Sequence, residues 1–207
     1  MPQQGIKVIL FDLGNVLVDF DYKKALQRIA YFCDRSPAQI KAFFKQSPSI
    51  SAFEKGQISP EEFFRQLKAG LNLKLGYESF ISIWNEVFIL NVKNRAVYHI
   101  LNTLRQNYRT ALLSNTNILH YQYLQTNFPV FGIFDEQFLS FKIGAVKPEE
   151  LIYQKVVSAL SVVPADIFYT DDRKEFVDCA SNLGIRSFIF SGEKQLIKDL
   201  SFCGINI

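Results

Sequence analysis

The run Lys7-Val8-Ile9-Leu10-Phe11-Asp12-Leu13-Gly14-Asn15-Val16-Leu17 constrains this chain more than any other stretch. A β-branched, apolar strand ends abruptly on a carboxylate, and a glycine follows two residues later. Packing alone does not put an aspartate there, because an unpaired buried charge is costly. The C-terminal edge of a parallel sheet does, since open α/β folds gather their ligands and chemistry at strand ends. A glycine at that edge lets the backbone approach a ligand closely. Asp12 is therefore the first candidate for a catalytic group. A turn or cap role is the competing reading, and this segment alone does not separate the two.

The chain has 207 residues, the size of one domain or of one domain carrying an insertion. Its apolar fraction is 48% and phenylalanine dominates the aromatics, enough for a well-filled core. Lys and Arg number 23 against 20 Asp and Glu and form no long block, so there is no electrostatic footprint for nucleic acid. No window approaches the roughly 18 uninterrupted apolar residues of a membrane span. Met1-Pro2-Gln3-Gln4 lead almost directly into the first strand, leaving no room for a signal peptide. Cys33, Cys179 and Cys203 are far apart and in no metal-ligand spacing, which reads as free thiols in a reducing cytoplasm. His99 and His120 are isolated in helical stretches and read as surface or packing residues.

Periodicity organises the rest. Val8 to Phe11 is the first strand. From about Tyr22 to Leu90 the pattern is helical throughout, with apolar residues at three- and four-residue spacing in Tyr22 to Phe32, Pro37 to Lys45, Pro60 to Leu71 and Tyr77 to Phe88. Ser36 and Ser59 precede Pro37 and Pro60, the pattern of an N-cap with proline at the first helical position. Glu62 lies three residues after Ser59, as in a capping box. No strand signal appears in this block. Afterwards the chain alternates. Helices are expected over Arg95 to Arg105, Ile118 to Gln125, Pro148 to Leu160, Lys174 to Leu183 and Glu193 to Leu200. Strands are expected over Tyr108 to Leu113, Phe134 to Ser140, Ile167 to Thr170 and Arg186 to Phe190. Such alternation implies right-handed crossovers and a parallel sheet, so the helical block interrupts an α/β fold between its first and second strands. There are no internal repeats.

In a parallel sheet the C-terminal strand ends share one edge. Asp12, Ser114 with Asn115, Lys147, and Asp171 with Asp172 can therefore converge. The three aspartates offer hard oxygen ligands of the kind that suit Mg²⁺. Two adjacent carboxylates after an apolar strand repel each other unless a cation is present; the plainer reading is a doubled helix cap. Ser114 and the N–H groups after it open a helix, an anion site or a simple N-cap. Lys147, before Pro148, is taken alone an ordinary solvated charge. Together these groups offer one carboxylate nucleophile, a metal site, a hydroxyl and an ammonium, which is what phosphoryl transfer needs: positioning plus charge neutralisation.

With those residues in view, the chain resembles the haloacid dehalogenase (HAD) superfamily over essentially its whole length. Four motifs stand in order: Phe11-Asp12-Leu13-Gly14-Asn15-Val16-Leu17, then Leu113-Ser114-Asn115-Thr116, then Lys147-Pro148, then Phe168-Tyr169-Thr170-Asp171-Asp172. Motif one and the phrase Phe53-Glu54-Lys55-Gly56-Gln57-Ile58-Ser59 look like the branch that contains α-glucose-1-phosphate phosphatase. The resemblance implies a Rossmannoid three-layer α/β fold with a parallel central sheet. The core would span residues 1–17 and 91–207, with a small all-helical cap at 18–90. It implies that Asp12 attacks phosphorus and that Mg²⁺ sits on Asp12, the Gly14 carbonyl, and Asp171 or Asp172. Ser114, Asn115, Lys147 and the Gly14–Asn15 turn would bind the phosphoryl group, with Lys147 also neutralising Asp12. An ordinary aspartate pKa of about 4 would leave Asp12 ionised at neutral pH.

One departure stands out. Most HAD phosphatases carry a second aspartate two residues after the nucleophile as general acid and base, and here that position is Gly14. Asp19 or Asp21 could stand in, the leaving group could need little protonation, or the protein could be slow or inactive. The implied function is a Mg²⁺-dependent phosphatase of a small phosphomonoester, a sugar phosphate above all. Two alternatives remain. One is a 2-haloacid dehalogenase, which has no use for two metal-binding carboxylates. The other is a weakly active or non-catalytic regulatory protein on the same fold. The expected partner is a small phosphorylated molecule, with no nucleic acid and no membrane, acting on a monomer or weak dimer. In the cap, Asp19, Asp21, Lys23, Lys24, Glu54 and Lys55 could meet sugar hydroxyls but read as solvated helix faces. Phe43, Phe44, Phe63, Phe64 and Trp84 read as cap packing.

Overall fold

The structure, a computed structural model, describes residues 5–207, with Val92 and Lys93 described by backbone alone. Met1–Gln4, the approach to the first strand in the sequence reading, lie outside the described residues. Strand β1 (Val8–Phe11) leads to a short β2 (Asp19–Phe20) and five helices, α1 (Tyr22–Ala30), α2 (Pro37–Gln46), α3 (Pro48–Glu54), α4 (Pro60–Leu71) and α5 (Tyr77–Asn85). The chain returns through β3 (Phe88–Ile89) to α6 (Val92–Leu104), β4 (Arg109–Ser114), α7 (Ile118–Asn127) and β5 (Glu136–Leu139). It then runs through α8 (Ser140–Ile143), α9 (Glu150–Leu160), β6 (Ile167–Asp171), α10 (Lys174–Asn182), β7 (Arg186–Ile189) and α11 (Glu193–Phe202).

The main sheet has five strands in the order β5-β4-β1-β6-β7, and every pair in it is parallel. Period-two alternation divides β1 between two cores. Ile9 and Phe11 face one core while Val8 and Leu10 face the other. The second core is filled by Ile152, Tyr153, Val156 and Leu160 of α9 together with Ala180 of α10. The first takes Val97 and Leu101 of α6, Leu119 and Leu124 of α7, and Leu196 and Leu200 of α11. It runs on without a break into the helical block through Ile29, Ile40, Phe63, Leu67 and Phe80. The result is helix–sheet–helix, with the block seated on the same core as the sheet. Among the described residues no helix is long and apolar enough to cross a membrane.

The block departs from the sequence expectation in four places. It is not free of strands: β2 and β3 pair antiparallel, Asp19 with Ile89 and Phe20 with Phe88, and tie its two ends together. Two-residue strands carry no periodicity to read, and the helix expected to reach Phe88 stops at Asn85. Helix α3 was not anticipated, because seven residues show too little of a 3.6-residue period. Its start was nonetheless written in a third Ser-Pro step, Ser47-Pro48. The capping box forms at Ser36 and Gln39, not at Ser59. Ser59 accepts from the Glu62 N–H, but the Glu62 carboxylate turns instead to Arg65 and Gln66.

Two differences lie in the core. The strand expected over Phe134 to Ser140 gives way to α8 at Ser140, and α9 begins at Glu150 rather than Pro148. A turn precedes α9: the Glu149 N–H donates to the Val146 carbonyl at 2.8 Å, and the Val146 N–H donates to the Glu149 carboxylate at 3.3 Å.

The segment after α3 is clamped to the core. Lys55 pairs with Glu149 at 2.5 Å. Gly56 has a φ of +66°, and a Cβ there would meet the Phe141 carbonyl oxygen at 2.3 Å. Left-handed backbone and close backbone approach both demand glycine. Gly56→Ala is expected to cost about 1–3 kcal/mol. At about 2–4 °C per kcal/mol for a chain of this size, that is a fall in Tm of several degrees, readable by thermal denaturation.

Candidate active site

Three strand ends and one turn meet at the C-terminal edge of the sheet. Asp12 follows β1, and its N–H donates to the Thr170 carbonyl at 3.0 Å, so β6 holds the nucleophile candidate in register. Asp171 is the last residue of β6, and Ser114 the last of β4. Lys147 reaches in from the turn before α9. Its Nζ donates to Asp12 Oδ1 and to Asp171 Oδ2, both at 2.6 Å, and to the Leu113 carbonyl at 3.2 Å. It is 3% exposed, far from the solvated charge that a lone pre-helix lysine suggests.

The turn that carries Lys147 is pinned by Asn115. The Asn115 Oδ1 accepts from the Lys147 N–H at 2.8 Å, and the Asn115 Nδ2 donates to the Lys147 carbonyl at 2.9 Å. The Asn115 side chain is thus committed to positioning Lys147, leaving only its backbone for a ligand. Asn117, not Ser114, caps α7, its side chain accepting from the His120 N–H. Among the described residues, Ser114 Oγ makes only a long 3.4 Å bond to the Asn115 carbonyl. The Thr116 N–H is taken by Ser140 Oγ at 2.9 Å.

The carboxylates divide by their partners. Asp171 is fully buried and takes three hydrogen bonds: Oδ2 accepts from Lys147 and from the Tyr169 hydroxyl, and Oδ1 accepts from the Arg173 N–H at 2.9 Å. Asp172 is half-buried and receives one hydrogen bond, from Asn15 Nδ2 to Oδ2 at 2.7 Å. Asn15 can make it because it adopts a left-handed φ of 54° in the turn after Asp12. Asp12, Asp171 and Asp172 bring their oxygens within 4.8 Å of one another. An all-oxygen, triply anionic set suits a hard divalent cation. Most of the free lone pairs belong to Asp12 and Asp172, while Asp171 keeps one, on Oδ1.

Electrostatics here overturn one expectation. Burial pushes the Asp12 carboxyl up to about 7, far from an ordinary aspartate; Lys147 opposes the rise and Asp171 adds to it. Burial also works against the Lys147 ammonium, but the Asp12 and Asp171 carboxylates outweigh it and hold the lysine above its usual value. The Asp172 carboxyl is raised by burial, against the pull of its Asn15 hydrogen bond. A group of carboxylates with one ammonium is thus short of positive charge, which is the condition a bound cation relieves.

Above this edge lies a cavity of about 420 Å³ whose floor is Asp12, Gly14, Asn15, Ser114, Lys147 and Asp172. Its roof comes from the helical block, through Tyr22, Phe44, Glu54, Phe63 and Trp84. Phe44 and Phe63 stack edge-on to Trp84 at 5.6 and 5.2 Å, so these rings serve cap packing and the cavity wall together. Of the polar residues singled out at 19–24 and 54–55, only Glu54 lines the cavity. Asp19 accepts from the Asn91 and Asn94 side chains, Asp21 caps α1 and Lys24 leans on Glu86. Neither aspartate is therefore set to replace a second motif-one carboxylate.

His120, read from sequence as an isolated packing residue, does pack, but at the cavity wall. Its ring stacks on Trp84 at 5.2 Å, with Nε2 on the Trp84 carbonyl and Nδ1 on Asn117 Nδ2, both at 3.2 Å. Burial drops its pKa to about 4, against the Trp84 carbonyl, so it stays neutral at neutral pH. No sequence signal joins residues 84 and 120; only the packing of α5 on α7 does.

A sheet of this order, with carboxylates and a lysine at one edge under a helical roof, defines a hydrolase class. A model of the haloacid dehalogenase-like hydrolase family matches residues 6–183, and the chain belongs to that family. Among its relatives is a D-ribitol-5-phosphate phosphatase from Bacteroides thetaiotaomicron, 28% identical over 189 residues, covering 88% of this chain and 91% of that protein. A HAD-family enzyme of the same organism, crystallised with magnesium and inorganic phosphate, superposes with a TM-score of 0.79 at 27% identity, over 89% of this chain and 94% of that one. An L-2-haloacid dehalogenase superposes with a TM-score of 0.63 at 19% identity, over 90% of this chain and 87% of that one, a likeness of fold alone.

Proposed function

We propose that this protein is a magnesium-dependent phosphatase of small phosphomonoesters, sugar or sugar-alcohol phosphates, acting through an aspartyl-phosphate on Asp12. The carrying observation is the set of three carboxylate side chains within 4.8 Å of one another, with the buried Lys147 bridging two of them. Asp12, the Gly14 carbonyl and Asp172 would hold the cation, with Asp171 anchoring Lys147 and its Oδ1 able to join them. When bound, the Mg²⁺ supplies charge neutralisation for the phosphoryl oxygens.

The chain's own groups do the rest. Asp12 holds Oδ1 on Lys147 and attacks phosphorus in line, so the P–O bond to the alcohol breaks as the acyl-phosphate forms. Ser114 Oγ and the Asn115 N–H receive the transferring phosphoryl oxygens. Lys147 keeps its charge next to both carboxylates and offsets the charge building on phosphorus. Water then cleaves the acyl-phosphate and restores Asp12. Residues 18–90 act as a cap that admits a metabolite and excludes macromolecules. Cavity size and the likeness to a D-ribitol-5-phosphate phosphatase both favour a small polyhydroxylated ester.

The test is phosphate release from p-nitrophenyl phosphate and from a panel that includes D-ribitol 5-phosphate and α-D-glucose 1-phosphate. EDTA is expected to lower the rate at least ~100-fold, and added Mg²⁺ to restore it. Chloride release from 2-chloropropionate that EDTA does not touch would instead establish the dehalogenase reading. Protein-phosphatase turnover comparable with that on the panel would refute the exclusion of macromolecules.

A further inference from the structure

Breaking a phosphate ester of a sugar or alcohol leaves an alkoxide, which needs a proton, and general acid help is worth about 10²–10⁴-fold. At the sheet edge and the cavity wall, three candidate donors are already committed. Asp12 is the nucleophile and Asp171 is held by Lys147, Tyr169 and Arg173. His120 has both ring nitrogens engaged. The position of Gly14 offers nothing and has no room to. A Cβ there would meet the Phe20 ring at 2.6 Å, and Phe20 is itself held by Tyr22 at 5.3 Å and Phe88 at 5.4 Å.

We propose that Glu54, the last residue of α3, is the general acid and base of this site. This inference rests on the phosphatase reading above. Glu54 lines the cavity, partly buried, opposite the sheet edge. It is held there by the two residues that follow it, through the clamp of Lys55 on Glu149 and the close approach of Gly56 to Phe141. Glu54 shares the lining of one cavity with Asp12, Tyr22 and Asp172, and the charges of Glu54 and Asp172 add to burial in raising the Tyr22 phenol. No hydrogen bond among the described residues commits the Glu54 carboxyl elsewhere, unlike Asp19 and Asp21.

The environment suits the role. Burial lifts Glu54 to about 7, with Arg173 the charge that opposes the rise, so near neutral pH it can both donate and accept. The other charged or titratable groups around it come from each neighbouring element. Tyr22 of α1 is raised by burial to about 12 and stays neutral, Lys41 of α2 is exposed at the cavity rim, and α4 turns Phe63 rather than a charge inward. Lys142 of α8 lies over the Tyr121 ring instead.

In the first step a bond forms from Asp12 to phosphorus as the ester P–O bond breaks, and the Glu54 proton passes to the leaving oxygen. Alcohol departs and Glu54 is left as carboxylate. In the second step the carboxylate takes a proton from water as its oxygen bonds to phosphorus and the Asp12–phosphorus link breaks. Inorganic phosphate leaves with Asp12 and protonated Glu54 restored.

The experiment compares p-nitrophenyl phosphate, whose leaving group needs little protonation, with phenyl phosphate, whose leaving group needs more, in wild type and Glu54→Gln with Mg²⁺. The variant is expected to lose ~10²-fold or more in kcat/KM on phenyl phosphate and under ~10-fold on the nitrophenyl ester. It should also release a burst of nitrophenolate equal to the enzyme concentration, because the second step lacks its base. The wild-type fall of kcat/KM on phenyl phosphate as pH rises through about 7 should vanish in the variant, since only the protonated acid serves the first step. Equal loss on both esters, or an unchanged pH profile, would overturn the role of Glu54 while leaving the phosphatase reading intact. A wild-type protein inert to both esters would overturn the phosphatase reading and this inference with it.

Discussion

Asp12→Asn is expected to lose phosphate release by about 10⁴-fold or more, with the fold unchanged. Loss of a covalent nucleophile typically removes most of an enzyme's rate enhancement, and a carboxamide cannot form the acyl-phosphate. The fold should tolerate the change for a reason visible in the site. Burial already lifts the Asp12 carboxyl to about 7, so its ionised form gains little from this environment. Asparagine keeps the shape, leaves the N–H to Thr170 in place, and lets Lys147 keep its pair with Asp171. Circular dichroism and Tm should therefore match wild type within a few degrees. Turnover within tenfold of wild type would show that Asp12 is not the nucleophile and would end the aspartyl-phosphate mechanism.

The strand ends were legible because they are local. Val8 to Phe11 is apolar on both faces, as a central parallel strand must be, and the structure gives β1 those bounds. The runs before Ser114 and Asp171 read the same way, and parallel pairing then carries all three to one edge. Convergence of Asp12, Lys147 and Asp171 followed from topology, without any knowledge of side-chain contacts. What stayed hidden depends on how segments distant in sequence pack together. Phe20 fills the space beside Gly14 only because β2 pairs with β3, and two-residue strands leave no pattern. Glu54 reads as one solvated helix charge until the Lys55 and Gly56 contacts turn α3 onto the core. The raised Asp12 pKa is likewise a property of burial, which composition and spacing do not report.

Lys147→Met should be the most destabilising single change in the site, and it separates stability from chemistry. The lysine side chain is 1% exposed and lies between Asp12 and Asp171, themselves 9% and 0% exposed. Methionine fills similar volume but removes the ammonium that bridges them. Breaking a buried ion pair from one side costs about 3–5 kcal/mol, because the partner charge is left uncompensated. At about 2–4 °C per kcal/mol for this size, Tm should fall by roughly 6–20 °C in metal-free buffer. Arginine should not rescue it, since a planar fork cannot occupy the place of a compact ammonium that also reaches the Leu113 carbonyl. The double variant Lys147→Met/Asp12→Asn should recover part of the lost stability, because one of the two orphaned carboxylates is gone; a coupling of about 1–3 kcal/mol is expected for groups in direct contact. Additive losses in that cycle, measured by urea unfolding, would mean that Lys147 stabilises through packing alone. Full recovery would assign the cost to Asp12 and leave Asp171 satisfied by Tyr169 and the Arg173 N–H, the two donors it keeps in either variant.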